Sequence, residues 1–420
     1  MRLNKEEINK KANHCLGCKV KMCVKGCPLG NDITEFISYI KEEKYEEAYY
    51  KLCETTVLSI VCGRICPHKS QCEGSCVRGI KGEAVSIGNL EAYIGDLAVE
   101  KGYNIPKFCK EKKNKHIAVI GGGPAGLTAA ANLARNGYNV TIFEKYGKLG
   151  GILRHGIPEF RLSKDILDKQ IEKILDLGIE VKYNMSLGKD YSLNELEQNY
   201  DGVLLAFGAN ISSKMGIEGE NLQGVYGGNE LLESNNHPDY AGKKVAVIGG
   251  GNVAMDTART IKRLGAEEVT VIYRRAEKQM PAEEKEIEDA KQEGIKFLFQ
   301  TNIVKVIGEK EVEEIECIKT ELIKKEGETR EAPVDIEGSN YKIKMDYVVM
   351  AVGSKVEENV VKPLGLELTS RGNIKIDENY MTSNPKIFAA GDLSGSKATV
   401  AWASRSGREA SKSIMRYVEM

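Results

Sequence analysis

The sequence predicts an α/β fold in which two Rossmann-like dinucleotide-binding domains, the second inserted in the first, follow an α-helical N-terminal domain. Two glycine motifs predict the Rossmann-like domains, because each lies between a short apolar strand and a helix, within residues 115–144 and 244–275. The cysteines indicate the N-terminal domain, since nine of the eleven lie at or before Cys76. A chain of 420 residues has room for all three domains.

The composition narrows the function classes. The chain has 60 basic and 61 acidic residues, a net charge of -1 and a pI of about 6.6, so neither nucleic acid nor an anionic membrane is expected as a partner. No apolar run approaches the ~18 residues of a transmembrane helix. The charged N-terminus lacks the apolar region of a signal peptide. We therefore expect a cytoplasmic protein.

Two cysteine runs lie in the predicted N-terminal domain, residues 1–113. They are Cys15-x2-Cys18-x4-Cys23-x3-Cys27-Pro28 and Cys62-x3-Cys66-Pro67-x4-Cys72-x3-Cys76. Without an export signal, clustered cysteines are expected to bind metal rather than to form disulfides. Three close cysteines plus a fourth before proline are typical of [4Fe–4S] clusters, whereas structural zinc prefers two close pairs. The runs favour iron–sulfur clusters, with structural zinc as the alternative.

The segments between and after these runs are predicted to be helical. Residues 33–56 and 86–101 have helical periodicity, and Cys53, inside the first stretch, is expected to be a small core residue. His14 and His68 adjoin the cysteines and are expected to pack rather than to ligate. Residues 102–114 are polar and basic, which is typical of a linker, so we place the domain boundary there.

The first glycine motif predicts a dinucleotide site. Gly121 permits a tight turn, Gly123 allows a pyrophosphate to approach the backbone, and Gly126 allows the helix to pack closely on the strand. Pro124 and Ala125 complete the motif at the start of the helix, whose free N–H groups attract phosphate. Glu144 ends the next strand, 18 residues after Gly126, where a carboxylate can bind a ribose hydroxyl.

Further stretches are expected to complete this first site. A pair of glycines beyond a strand lets a ligand approach the backbone. A strand that ends in Gly-Asp beside a helix offers a carboxylate to a sugar and free N–H groups to a phosphate. Residues 201–208 and 387–392 are two such buried strands ending in glycine, the second before a predicted helix at 398–415. The candidate residues are Gly150, Gly151, Leu153, Arg161, Gly208, Gly391 and Asp392.

The second motif predicts a site for NADP rather than NAD. Gly249, Gly251 and Ala254 form G-x-G-x-x-A, with Asn252 and Val253 inside it. About 19 residues after Ala254, where an acid would bind the ribose of NAD, the chain has Arg274 and Arg275. Arginine at this place accommodates a 2′-phosphate, although the two could be ordinary surface charges. Residues 346–353 repeat the buried strand ending in glycine, which makes Gly353 a further candidate.

Two dinucleotide folds in one chain indicate FAD in the first and NADPH in the second, with hydride transfer from nicotinamide to flavin. We place the FAD-binding domain at 114–213 and 354–420, and the NADPH-binding domain at 214–353. No catalytic acid or base can be identified. A thiol–disulfide reductase is excluded, because no cysteine lies between Cys109 and Cys317. Electrons should leave through the clusters or an external acceptor; the contrasting hypothesis is a binding module with structural zinc and a vestigial dinucleotide fold.

Seven stretches resemble one known family over almost the whole chain: CLGCKVKMCVKGCPLGNDI, VCGRICPHKSQCEGSCVRGIKGEAVSIGNLEAYIGD, VIGGGPAGLTAA, GGILRHGIPEFRL, GGGNVAMDTART, YRRAEKQMPA and AAGDL. The chain is similar to the small (beta) subunit of bacterial NADPH-dependent glutamate synthase and its relatives. These include the large subunit of the electron-bifurcating NADH-dependent ferredoxin:NADP oxidoreductase and the N-terminal part of dihydropyrimidine dehydrogenase. The paired cysteine runs and YRR with MPA are the most specific part of the resemblance.

The resemblance implies two interleaved [4Fe–4S] clusters. One would be held by Cys15, Cys18, Cys23 and Cys76, and the other by Cys27, Cys66, Cys72 and Glu91. The family uses a non-cysteine fourth ligand for the second cluster, and Glu91 is at the matching place in IGNLE. Spacing alone leaves Cys62 and Glu91 as competitors for that position, and an exposed helical glutamate is the simpler interpretation of Glu91.

The resemblance also implies a partner. The glutaminase domain and FMN barrel that glutamate synthase needs do not fit in this chain, so it should oxidise NADPH at FAD and pass electrons to a second polypeptide. We expect the small subunit of glutamate synthase, which binds the large subunit and supplies electrons for glutamate biosynthesis. The alternative is the NADP-binding subunit of the bifurcating ferredoxin:NADP oxidoreductase, bound to a ferredoxin-linked flavoprotein subunit.

Overall fold

The computed structural model describes residues 4–324 and 331–420. These residues form two compact units. The first runs to Arg154 and contains Glu159–Ala209 and Val356–Met420, and the second contains His155–Pro158 and Asn210–Lys355. The predicted NADPH-binding domain, 214–353, lies within the second unit. Within the described residues, no helix combines the length and apolarity that crossing a membrane requires.

The N-terminal part of the first unit is helical. Its helices are α1 (Lys5–Asn13), α2 (Met22–Gly26), α3 (Ile33–Lys41), α4 (Tyr45–Cys53), α5 (Ser59–Ile65) and α6 (Ile87–Glu100), with 3₁₀ turns at His68–Ser70 and Val77–Ile80. The helical periodicity of residues 33–56 corresponds to two helices rather than one. The helical conformation is interrupted at Glu43, which adopts a left-handed φ of 58°. At the start of α3, the Asp32 side chain caps the helix by accepting a hydrogen bond from the Glu35 N–H. Cys53 is buried at the end of α4, as expected.

The first dinucleotide fold starts after the linker. Its elements are β1 (His116–Ile120), α7 (Pro124–Arg135), β2 (Asn139–Glu144), α8 (Ile152–His155), α9 (Lys164–Leu175), β3 (Glu180–Tyr183), α10 (Leu193–Asn199) and β4 (Gly202–Leu205). Strands β1, β2 and β4 are apolar and almost fully buried, as strands covered by helices on both faces must be, whereas the edge strand β3 is mostly exposed.

The second unit contains a second dinucleotide fold and an antiparallel sheet. Its elements are β5 (Ile211–Ser212), β6 (Val225–Gly227), α11 (Gly228–Ser234), β7 (Lys244–Ile248), α12 (Asn252–Arg263), β8 (Glu268–Tyr273), α13 (Glu284–Gln292), β9 (Lys296–Phe299), β10 (Thr301–Ile307), β11 (Glu314–Ile323), β12 (Ala332–Asp335), β13 (Tyr341–Lys344), β14 (Tyr347–Met350) and β15 (Ser354–Lys355). The pattern of residues 296–347 predicts a series of strands, and residues 325–330 of that stretch lie outside the described residues.

The chain then returns to the first unit through α14 (Glu358–Val361), β16 (Ile387–Ala389) and α15 (Val400–Val418). The first sheet has the order β16-β4-β1-β2-β3 and the second β6-β14-β7-β8-β9, and all their pairs are parallel. Because β16 pairs with β4 after about 180 intervening residues, the second fold is inserted in the first. The predicted fold class is confirmed.

In both parallel sheets, an aspartate carboxylate accepts hydrogen bonds at the start of the central strand, β1 or β7. Asp201 accepts from the His116 N–H at 2.8 Å and the Lys115 Nζ at 3.1 Å, and Asp346 accepts from the Lys244 N–H at 2.8 Å and the Lys243 Nζ at 3.1 Å. In each fold this aspartate directly precedes the strand that pairs with the central strand, β4 in the first sheet and β14 in the second. The carboxylate satisfies a backbone donor that no neighbouring strand reaches.

Candidate functional site

The first predicted cluster ligands lie together. Cys15, Cys18, Cys23 and Cys76 line one cavity, although Cys76 is 53 residues beyond Cys23. Burial raises the pKa of the Cys23 thiol, and the neighbouring Cys76 and Cys15 sulfurs raise it further. Four thiols that surround a shared space fit a [4Fe–4S] cluster. Among the described residues, no three His, Cys, Asp or Glu side chains converge closely enough to bind a single metal ion.

Hydrogen bonds from His14 and Arg78 tie together the two loops that carry these cysteines. Arg78 donates from Nε to the His14 carbonyl at 3.1 Å, and its Nη2 is 3.0 Å from His14 Nδ1. The other ring nitrogen of His14 is 2.8 Å from the Glu83 carbonyl oxygen. His14 therefore connects the two loops by hydrogen bonds, in agreement with the expectation that it packs rather than ligates.

The second predicted ligand set is more deeply buried. Burial raises the pKa of Cys27 to about 11, and the nearby Glu91 carboxylate and Cys62 sulfur raise it further. Burial also raises the pKa of the Cys72 thiol, with Glu91 and Cys27 adding to the effect. A hydrogen bond with Cys62 and burial raise the pKa of Cys66 well above its usual range. These effects show that the four cysteines and Glu91 are neighbours.

Glu91 lies in the middle of α6, and its side chain is buried rather than exposed. Burial raises its pKa to about 8, and the hydrogen bond from Asn31 Nδ2 at 3.4 Å only partly offsets the cost. A buried carboxylate among thiols is an expensive arrangement unless it has a partner such as a metal. The simpler interpretation, an exposed helical glutamate, is therefore wrong. Because Cys62 is also in the group, the choice between Cys62 and Glu91 as fourth ligand stays a prediction.

A single helix, α15, links the second cysteine group to the first dinucleotide fold. Arg405 donates to the Pro28 carbonyl at 3.2 Å, and Arg408 donates to the carbonyls of Leu29 at 3.0 Å and Thr55 at 2.8 Å. Pro28 and Leu29 directly follow Cys27. The sequence did not point to these arginines, since nothing in an alanine-rich helix distinguishes an arginine that binds distant carbonyls.

The first glycine motif forms a cradle without side chains at the carboxyl edge of the sheet. Gly121 has a φ of 101°, and a Cβ at Gly126 would collide with the Gly121 carbonyl oxygen. The Gly150 N–H donates to the Gly122 carbonyl at 2.9 Å, and a Cβ at Gly151 would lie 2.8 Å from the Gly123 Cα. The structure thus brings the predicted glycine pair against the motif, and the open backbone fits a pyrophosphate.

The predicted acid of this site, Glu144, is buried at the end of β2. Its Oε2 accepts from the Gly122 N–H at 2.8 Å, and its Oε1 accepts from the Tyr146 N–H at 3.0 Å. These bonds orient the carboxylate beside the glycine turn, where it can meet a ribose hydroxyl.

Gly391 and Asp392 lie beside the same cradle. A Cβ at Gly391 would be 3.0 Å from the Cβ of Ala125, and the Gly391 N–H donates to Ser406 Oγ at 2.8 Å. Burial raises the pKa of Asp392, although the Ser396 hydroxyl, 3.3 Å from its Oδ1, opposes the shift. Gly208 has a φ of 80° shortly after β4, while Leu153 is fully buried and Arg161 is half-buried before α9. Sequence reasoning missed Ser406, a serine without a motif.

The second glycine motif has the same form. Gly249 has a φ of 143°, Gly251 caps α12, and Ala254 is fully buried beneath the turn. Val253 is half-buried in the first turn of α12, and Gly353, with a φ of 135°, follows β14.

A segment that the glycine pattern did not predict lies over this turn. The Ala282 N–H donates to the Gly250 carbonyl at 3.1 Å, and the Glu283 N–H donates to Asn252 Oδ1 at 3.0 Å. The only sequence signal for it was the MPA stretch, residues 280–282, within the family resemblance.

The two predicted phosphate-binding arginines follow β8. Arg274 is exposed, and its carbonyl accepts from Thr320 Oγ1 at 2.8 Å. Arg275 is half-buried, and its Nε is a buried donor without a hydrogen-bond partner in the part of the chain that the structure describes. An unsatisfied guanidinium donor at the end of the second strand fits an anionic group such as a 2′-phosphate.

Comparison with known proteins matches both parts of the chain to families. Residues 115–410 match the family described as pyridine nucleotide-disulphide oxidoreductase. Residues 1–103 match the family described as dihydropyrimidine dehydrogenase domain II, 4Fe-4S cluster.

Individual relatives correspond over most of the chain. The glutamate synthase [NADPH] small chain of Escherichia coli (strain K12) is 35% identical, over 97% of this chain and 91% of that protein. The NADP(+)-dependent formate dehydrogenase subunit beta of Moorella thermoacetica is 36% identical, over 94% of this chain and 60% of that protein. The solved structure of Mycobacterium tuberculosis FprA in complex with NADPH superposes with a TM-score of 0.65 at 21% identity, covering 73% of this chain and 85% of that chain. The last similarity shows the fold alone.

Proposed function

The chain belongs to the pyridine nucleotide-disulphide oxidoreductase family and, within it, to the glutamate synthase small chains, and from this membership we propose that it oxidises NADPH at FAD and passes the electrons through two [4Fe–4S] clusters to a partner. It acts as the electron-input subunit of a glutamate synthase, bound to the large subunit. The relatives favour this over the bifurcating ferredoxin:NADP oxidoreductase, because glutamate synthase small chains recur among them.

One observation in the structure carries the proposal. On α15, Ser406 accepts from the Gly391 N–H at the first dinucleotide site, and the adjacent Arg405 donates to the carbonyl of Pro28, next to Cys27. The flavin site and the second cysteine group are therefore held together by neighbouring residues of one helix. Such an arrangement suits electron flow from a flavin into the cysteine domain rather than into a substrate disulfide.

The residues have distinct roles in this proposal. Gly121, Gly123 and Glu144 hold the pyrophosphate and ribose of FAD, while Gly249, Gly251 and the Arg274–Arg275 pair hold NADPH. Cys15, Cys18, Cys23 and Cys76 hold one cluster, and Cys27, Cys66, Cys72 and Glu91 hold the other. When bound, FAD would accept the nicotinamide hydride, and the clusters would carry single electrons.

The composition of the purified protein tests the proposal. From anaerobic protein we expect about eight irons and eight labile sulfides, with one FAD per chain. NADPH should bleach the flavin at far lower concentration than NADH. Zinc in place of iron, or a flavin that neither nucleotide bleaches, would contradict the proposal and favour a zinc-binding module.

The partner is tested separately. Adding the glutamate synthase large chain of the same organism should produce NADPH-dependent glutamate formation from glutamine and 2-oxoglutarate. A complex with a ferredoxin-linked flavoprotein, and none with the large chain, would instead favour the bifurcating oxidoreductase.

A further inference from the structure

An exposed apolar patch surrounds the first cysteine group. Thirteen large hydrophobic side chains are exposed among the described residues, and five of them lie on the two loops that carry these cysteines. They are Leu16, Val20, Met22, Val77 and Ile80, and the exposed fractions of Val20 and Ile80 reach 63% and 76%. Exposed apolar residues scattered singly need no explanation, but a cluster on two adjoining loops marks an interaction site. We call these five residues the apolar patch.

Three of the five residues of the apolar patch adjoin the cysteines. Leu16, Met22 and Val77 line the same cavity as Cys15, Cys18, Cys23 and Cys76. The bonds from Arg78 to His14 connect the two loops, which carry the other two patch residues, Val20 and Ile80. A polypeptide that covers the apolar patch would thus lie next to the first cluster site.

The charges around the apolar patch are mostly basic. The loop segments 14–27 and 66–83 contain six lysine or arginine residues and two glutamates, whereas the whole chain has a net charge of -1. Lys19, Lys25, Arg78 and Lys81 are exposed. Lys21, in contrast, is paired with Asp32 at 2.7 Å. A basic ring around an apolar centre is complementary to a partner surface with an apolar centre and a ring of carboxylates.

We propose that the apolar patch, with its lysine ring, is the docking surface for the electron-accepting polypeptide, which presents an apolar centre ringed by carboxylates over its own redox centre. The inference rests on the proposed function and adds the exit point to it. Electrons enter from NADPH at the flavin site, next to the second cysteine group, and leave one at a time beneath the apolar patch. Each departing electron reduces the partner's redox centre and is replaced from NADPH.

Binding to the separately purified glutamate synthase large chain tests the surface. We expect each of two double variants to weaken binding about tenfold or more, as changes at the centre of an interface do. One removes apolar side chains, Val20→Ser/Ile80→Ser, and the other reverses charges, Lys19→Glu/Lys81→Glu. The matched controls, Leu264→Ser/Ile336→Ser and Lys342→Glu/Lys344→Glu, alter exposed residues of the second unit and should leave binding unchanged. Raising the salt from roughly 50 to 200 mM should weaken wild-type binding, because exposed charges are screened. Iron content and NADPH-dependent ferricyanide reduction should stay at wild-type values in all four variants.

A second measurement does not depend on the identity of the partner. Plastocyanin, an acidic one-electron acceptor, should be reduced by the NADPH-loaded protein at a rate that falls in Lys19→Glu/Lys81→Glu. Reduction of cytochrome c, a basic acceptor, should rise or stay unchanged in the same variant.

The outcomes separate the two proposals. If the large chain binds but all variants bind equally, the docking surface is wrong and the proposed function stands. If wild type does not bind the large chain, the proposed partner is wrong, and the plastocyanin and cytochrome c rates still decide the surface: equal effects on both acceptors overturn it. Self-association through the apolar patch, seen by sedimentation of wild type and lost in Val20→Ser/Ile80→Ser, would also overturn it, because the occupant would be a second copy.

Discussion

At the scale of single residues, Glu91 shows how much its environment changes the meaning of a side chain. On a helical wheel it is one acid among many, yet it is buried among Cys27, Cys66 and Cys72, and its pKa rises to about 8. A carboxylate in that position costs several kcal/mol unless a metal or proton neutralises it. Its burial is the strongest argument in the structure for a cluster ligand that is not cysteine.

The competition between Glu91 and Cys62 leads to the first prediction. Glu91→Ala should lower the iron content toward about four per chain, because a [4Fe–4S] cluster needs its fourth ligand. Cys62→Ser should retain about eight. Iron and sulfide analysis of both variants, with Cys53→Ser as a buried control away from the clusters, checks this. Loss of iron in Cys62→Ser alone would reverse the assignment.

The arginines after β8 lead to the second prediction. Arg274→Ala/Arg275→Ala should raise the KM for NADPH about 10- to 100-fold, since hydrogen bonds to charged groups contribute about 1.5–3 kcal/mol. The KM for NADH, which has no 2′-phosphate, should change little. Steady-state ferricyanide reduction with each nucleotide measures both, and Lys278→Ala, an exposed neighbour, is the control. Equal losses with the two nucleotides would show that the pair has a structural role instead.

At the scale of elements, each parallel sheet has an aspartate that closes the start of its central strand. Burial alone would raise the pKa of Asp201, but the His116 N–H and Lys115 outweigh it and hold the pKa below its usual range. In Asp346, burial likewise favours a higher pKa. The Lys244 N–H and Lys243 outweigh burial and hold the pKa below its usual range. A depressed pKa in the folded state means that the carboxylate stabilises the fold at neutral pH.

The third prediction follows from the sign of that shift. The stabilisation should be complete above the ordinary aspartate pKa of about 3.9 and be lost as the pH falls below it. Asp201→Asn or Asp346→Asn should each cost about 1 kcal/mol or less at pH 7, because the carboxylates are partly exposed. Thermal unfolding between roughly pH 3 and pH 7 measures the difference. The gap between wild type and variants should narrow toward the acid end; a gap that stays constant there would rule out the ionised carboxylate as the cause.

At the scale of the whole molecule, the first unit joins the cysteine domain to the flavin fold, and α15 makes the connection. In the N-terminal half of α15, Ser406 accepts a hydrogen bond from the first dinucleotide site. Arg405 and Arg408 donate hydrogen bonds to the loop after Cys27. The second cysteine group is thus the one that α15 connects directly to the first dinucleotide site. In the proposed function, electrons would therefore pass from the flavin to the second cluster first.

The fourth prediction tests that order. Cys27→Ser should remove the second cluster and lower the iron content by about half, because a [4Fe–4S] cluster needs its thiolate ligands. NADPH should still bleach the flavin, while electron transfer to the large chain should be abolished. Anaerobic stopped-flow spectroscopy separates the two steps, and retention of FAD shows that the variant is folded. Unimpaired transfer to the large chain would mean that electrons leave from the flavin directly.

The sequence by itself determined the features that depend on neighbours along the chain. The two glycine turns, their flanking strands and Glu144 were all predictable, because each dinucleotide motif lies within about 30 consecutive residues. The insertion of one fold in the other was predictable because the buried strands ending in glycine occur twice. The cysteine spacing favoured clusters over zinc for the same local reason.

Only the tertiary structure decided what depends on distant residues. It brought Cys76 to Cys15, Cys18 and Cys23 and buried Glu91 beside the other cysteines, two arrangements that the family resemblance implied but spacing did not show. It also placed Arg405 of the last helix on the loop after Cys27. It left five apolar residues exposed on the two loops of the first cysteine group, three of them in the cavity that those cysteines line. These contacts join positions tens to hundreds of residues apart. Packing and burial select them, and neither periodicity nor motif spacing records them.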